Sequence, residues 1–137
     1  MPVPTQLETP KNRVYTVLSF HIDLVDITGN MDVITQITPG FVGSIVKVYW
    51  IQGTPAATIN RLTTLNWEIG AADIAGGAVA LTTATCTPMG KVIESTAITG
   101  SSTFDRDDTL SLKSTGTTAF AEGDGYLVTI IAMDITR

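Results

Sequence analysis

VYTVLSFHIDL, residues 14–24, alternates its side chains with a period of two. Val14, Thr16, Leu18, Phe20, Ile22 and Leu24 fall on one face; Tyr15, Ser19, His21 and Asp23 fall on the other. That period belongs to a half-buried β-strand. Short runs rich in Val, Ile and Thr recur through the chain at Ile45–Ile51, Thr63–Ile69, Ala78–Thr83, Lys91–Ile98, Thr109–Ser114 and Tyr126–Ile135. Gly, Pro or Asn/Asp closes each of them. Such spacing predicts an all-β sandwich or barrel, with no helix longer than a turn or two.

Within the runs the phase assigns faces. Gly43–Ile51 places Val46, Val48 and Trp50 on one side and Ile45, Lys47, Tyr49 and Ile51 on the other. Leu65, Trp67 and Ile69 oppose Thr64, Asn66 and Glu68, and this run is expected to pair antiparallel with the one carrying Val79 and Leu81. The last run is apolar on both faces: Leu127, Ile131, Met133 and Ile135 against Tyr126, Val128, Ile130 and Ala132. A strand with two apolar faces requires two covers. In a two-sheet sandwich the outer face is normally wet, so the second cover is expected from a partner or from the N-terminal segment.

That segment, MPVPTQLETPKN over 1–12, holds three prolines and no periodicity. Proline fixes φ and removes a ladder donor, so 1–12 reads as an extended arm and 13–137 as one sandwich domain. Pro2, Val3 and Pro4 are its candidate contacts with a neighbour.

Composition narrows the function. A net charge of −5 disfavours nucleic acid as a partner, because phosphates would be repelled. No apolar window approaches the ~20 residues of a membrane helix, and the first residues lack the form of a signal peptide, so a soluble protein made in a cytoplasm is expected. The single Cys86 cannot close an internal disulfide. Thr is the commonest residue and charged residues make up only 15%, below the usual quarter. A surface thin in charge suits a protein whose faces are covered by other subunits, and equally a Thr-rich β domain that is simply uncharged.

Catalytic chemistry is sparse. His21 and Asp23 share a strand face, but no nucleophile accompanies them in any motif, and the pair reads as a surface or interface feature. Cys86, in Ala-Thr-Cys-Thr-Pro, reads as a small buried hydrophobe. Asp105, Asp107 and Asp108, with Glu122 and Asp124 in a later loop, form the one acidic cluster. Carboxylates at alternate positions can ligate Ca²⁺; the segment lacks the glycine and terminal glutamate of an EF-hand loop, so a solvated turn is the favoured reading. Trp50 and Trp67 run in phase with aliphatic neighbours and read as core. Tyr49 and Lys47, on the opposite face, are candidate interface residues, together with Tyr126, Val128 and Ile130. No enzyme activity, cofactor or metal is expected.

Three segments carry a resemblance: GFVGSIVKVYWIQG (40–53), LNWEIGAADIAGGAVALTT (65–83) and FDRDDTLSLKSTGTTAFAEGDGYLVTIIAMDI (104–135). They resemble small jelly-roll virion proteins of tailed bacteriophages. In those, an aromatic–x–x–x–Asp–Thr–Leu–x–Leu–x–Ser–x–Gly segment precedes a final Val/Ile-rich strand. Phe104, Asp108, Thr109, Leu110, Leu112, Ser114 and Gly116 stand in those places. The resemblance implies a jelly-roll-like antiparallel sandwich and a capsid decoration (cement) or head-fibre role. A homotrimer seated on the major capsid protein or another virion protein is then expected, localised to the virion after assembly in the host cytoplasm. The alternative is a head- or tail-fibre module that binds a host glycan or receptor.

Overall fold

The computed structural model describes residues 13–134. The arm 1–12, with Pro2, Val3 and Pro4, and the last three residues lie outside the described part. The alternation read at 14–24 becomes β1 (Arg13–Asp23), followed by a 3₁₀ turn at Leu24–Asp26. Then come β2 (Asp32–Ile37), β3 (Gly43–Gln52), β4 (Leu62–Ile69), β5 (Ala72–Asp73), β6 (Val79–Thr82), β7 (Val92–Glu94), β8 (Thr103–Phe104), β9 (Leu110–Thr118) and β10 (Asp124–Asp134). The run expected at 91–98 keeps a ladder only over β7: Ser95 N–H still reaches β3 at the Val48 carbonyl, but Thr96 N–H turns away to the Ala78 carbonyl. The run expected at 109–114 extends to Thr118 along β4.

The strands form two antiparallel sheets. Sheet I has the order β1-β10-β3-β7, with β8 also on β3; sheet II has the order β2-β9-β4-β5, with β6 also on β4. Strand partners nest along the chain: β1 with β10, β2 with β9, β3 with β7 and β8, β4 with β6. A long hairpin rolled so that successive arms fall on alternate sheets gives this nesting, which is the jelly-roll arrangement.

Between the sheets lie Trp50, Ile45, Val48, Leu127 and Ile131 from sheet I and Leu65, Trp67, Leu81, Leu110 and Leu112 from sheet II, all essentially inaccessible. Burying one such side chain contributes roughly 1.5–3 kcal/mol. Both indoles keep a polar partner inside the core. Trp67 Nε1–H donates across the gap to Thr129 Oγ1 of β10 at 2.9 Å. Trp50 Nε1–H donates to Gln52 Oε1 at 2.7 Å, and Gln52 Nε2–H donates on to the Thr54 carbonyl at 2.7 Å. Gly125 makes room for that ring, because a Cβ there would overlap Trp50 and the Ile51 carbonyl.

One face assignment is corrected. Ile45, expected with Lys47 and Tyr49 on the outer side, is buried in the core, and Val46, expected with Val48 and Trp50, is 40% exposed. The β3–β10 ladder passes from Lys47↔Ile130 to Ile45↔Ile131, so Val46 is an extra residue. A β-bulge of this kind reverses the side-chain phase beyond it.

Candidate assembly face

The register collects the residues singled out by sequence onto one surface. On the outer face of sheet I, β10 lies centrally, with Tyr126, Val128, Ile130 and Ala132 pointing outward. Cross-strand rows run His21–Tyr126–Ile51–Val92, Ser19–Val128–Tyr49–Glu94 and Val17–Ile130–Lys47. Tyr15 follows opposite Ala132. Lys47, Tyr49, Tyr126, Val128 and Ile130 are therefore neighbours. Tyr15 (67%), Val17 (56%) and Tyr126 (47%) are exposed. Val128, flanked by Ser19 and Tyr49, is already sheltered within the sheet. The second cover of β10 thus comes partly from its own sheet, and the open remainder centres on Tyr15, Val17, Ile130 and Tyr126.

The charges on this face sit at its margins. Lys47 Nζ pairs with Glu94 at 3.6 Å and lies 5.7 Å from the centre of the Tyr49 ring. Around the β1 side, the inner residues Leu18 and Phe20 and the residues Ile37, Phe41 and Met133 line an apolar groove of about 510 Å³ between β1 and β2. Both strands are sheet edges, and an edge presents unpaired N–H and C=O groups to any incoming strand. The opposite flank is closed: Ala75 bridges Gly100, and Gly77 N–H reaches the Thr96 carbonyl.

The acidic cluster read from sequence is dispersed. Asp105 and Asp108 form a self-bonded turn: Asp105 N–H donates to Asp108 Oδ2 at 2.8 Å, and Asp108 N–H to the Asp105 carbonyl at 3.1 Å. Asp107 is exposed in the same turn. Asp105 and Asp108 line a shallow cleft with Arg13 and Asp134, at the far end of β10 from Asp124. Glu122 accepts the Thr58 and Ala57 N–H groups at 2.8 and 3.0 Å and the Thr58 hydroxyl at 2.9 Å. These donors, the Thr58 N–H foremost, hold its carboxyl below the ordinary 4.5.

Asp124 sits at the rim of the face. Its Oδ1 accepts the Thr54 N–H at 2.6 Å, and its Oδ2 lies 3.1 Å from His21 Nε2. The Thr54 bond first, then His21, lowers its carboxyl from 3.8. His21 and Asp23 do share a face, as expected. The sequence offered no sign that Asp124 would join them, because β1 and β10 are separated by nearly the whole chain. Cys86 is buried, and loss of solvation pushes its thiol up to about 11; such a thiol is a poor nucleophile at neutral pH. Trp50, Trp67 and Phe120 all lie in the core.

No protein-family model matches this chain, and no curated protein does. Among solved structures, one described as "Bacillus endospore appendages form a novel family of disulfide-linked pili" shares 13% identity, covers 98% of each chain and has a TM-score of 0.36. At that level of likeness the function has to be argued from this chain's own surface.

Proposed function

We propose that this protein is a structural subunit that self-associates through the outer face of sheet I, and that it decorates and stabilises a bacteriophage capsid by bridging capsid subunits. The observation that carries the assembly half is the apolar group of exposed Tyr15, Val17 and Tyr126 with half-buried Ile130, on a sheet face that would ordinarily be wet. Contiguous exposed apolar surface marks interaction sites. The capsid half is supported by the sequence resemblance over 40–135. Phe120, the sole aromatic of the 52–62, 70–77 and 115–125 loops, is buried. Those loops therefore present no aromatic platform for a sugar, which ranks glycan recognition second.

The work of such a subunit is mechanical. Three copies around an axis need one complementary pair of surfaces per copy, and obligate interfaces commonly bury ~2,000–5,000 Å². Sheet I supplies one surface. The proline-bearing arm 1–12 is the proposed second contact, reaching a neighbour from the Arg13 end of β1.

Sedimentation velocity on the full chain at micromolar concentration tests the assembly half, and co-sedimentation with phage capsids tests the other. A trimer that binds capsids saturably is expected. A 14.5 kDa monomer that ignores capsids would overturn the proposal.

A further inference from the structure

We infer that His21, Asp23 and Asp124 form a binding site for a divalent transition-metal ion of the Zn²⁺, Co²⁺ or Ni²⁺ class, clipping edge strand β1 to β10. The ligating atoms of all three lie within 4.8 Å of one another. His21 Nε2 is 3.1 Å from Asp124 Oδ2 and 3.9 Å from Asp23 Oδ1. Ligands bound to one metal at about 2.0–2.2 Å stand roughly 3–4 Å apart, so small side-chain rotations complete the geometry.

The backbone makes this convergence, and the loops hold it. His21 and Asp23 are two residues apart on β1 and so face the same way. Asp124 lies directly opposite Asp23 in the ladder. Thr54 N–H occupies Asp124 Oδ1, which leaves Oδ2 turned toward the imidazole. The His21 ring also packs against Tyr126, with centroids 5.1 Å apart. Partners that orient a ligand in this way are the usual second layer of a metal site.

Charge provides an independent argument. Two carboxylates directly opposite one another across an antiparallel pair repel. Among the described residues, no Lys or Arg forms an ion pair with Asp23 or Asp124. A bound cation removes that repulsion. The imidazole in the set selects the class, because a nitrogen donor suits Zn²⁺, Co²⁺ and Ni²⁺, whereas Ca²⁺ and Mg²⁺ favour oxygen throughout. Three protein ligands also leave at least one position open to water or to a donor from a neighbouring copy. The site does not depend on the assembly reading, and either can fail without the other.

The chain contains one His and one Cys, and that Cys is buried, so any site that uses an imidazole uses His21. The test is calorimetric titration of the full, tag-free chain with Zn²⁺, alongside Co²⁺ absorption spectra and NMR of the His21 ring. One saturable site per chain is expected, with the His21 resonances shifted by Zn²⁺ and broadened by Co²⁺. His21→Ala and Asp23→Asn should each weaken Zn²⁺ at least tenfold. Asp23→Asn leaves the Thr54–Asp124 contact in place, so it serves even if changes at Asp124 disturb folding. Absence of saturable binding to millimolar Zn²⁺, an affinity unchanged in both variants, or Ca²⁺ binding as tightly as Zn²⁺ would overturn the inference.

Discussion

The outer face of sheet I carries Tyr15, Val17, Tyr126 and Ile130; the outer face of sheet II carries Thr64, Asn66, Glu68, Lys113 and Thr115 on the same kind of ladder. On sheet II, Lys113 Nζ bridges Glu68 at 3.3 Å and Asp73 at 2.8 Å. Its lysine is held between two carboxylates within the face, and its threonines are content in water. Sheet I keeps its Lys47–Glu94 pair at one margin and its His and Asp residues at another. Both faces meet the backbone requirement of a strand equally well, since Thr, Val, Ile and Tyr all favour it. The difference therefore does not come from folding one domain, which needs only the inner faces apolar. Under the proposed assembly, it marks the face that a second copy would cover.

The largest expected effect comes from placing the same charge on each face. Val17→Lys with Ile130→Lys should weaken self-association by at least ~30-fold, since disrupting a central hot spot of an interface costs about 2 kcal/mol or more. Thr64→Lys with Thr115→Lys should leave it unchanged. Equal effects in sedimentation would erase the distinction between the faces.

The next effect concerns the core that both faces share. Trp67→Phe removes the bond that spans the sheets and leaves the Thr129 hydroxyl buried without it, at a cost of ~1–3 kcal/mol. Adding Thr129→Val should recover part of that loss in denaturant melts. If the two changes simply add, the inter-sheet bond is not coupled as the distance implies.

Acid should act on the loops at the rim of sheet I rather than on either face. Glu122 and Asp124 both have folded values held below the ordinary 4.5 and 3.8. Their stabilisation is therefore complete above those values and is lost as pH falls through the lower, folded ones. Tm should be level from pH 7 to about 5 and decline below that. Glu122→Gln should lower the plateau and flatten the acid limb; an unchanged limb would mean other groups carry it.

The smallest effect is expected at Lys113. Its pairs with Asp73 and Glu68 raise its own ionisation above the ordinary 10.5, but they lie at the sheet surface, where water and salt screen an ion pair. Lys113→Met should barely move Tm. It should, however, make sheet II stickier, and measurable new self-association would show that the Lys113 charge opposes association through that face.

The all-β class, the alternation over 14–24, the core positions of Trp50 and Trp67 and the two-faced character of 126–135 were determined by sequence alone. Each is local: a period of two assigns faces wherever a strand is unbroken. The period misassigned Ile45 and Val46, where a bulge adds one residue, and a bulge depends on the partner strand. Which strands are neighbours was decided only by tertiary structure, since the β1–β10 ladder joins the two ends of the chain. That one pairing brings Tyr126 beside His21 and Asp124 opposite Asp23. It also lays Ile130 against Val17, and so builds both the apolar face and the His–Asp–Asp rim. Patterning determines which way a side chain points, but only long-range register determines what lies next to it.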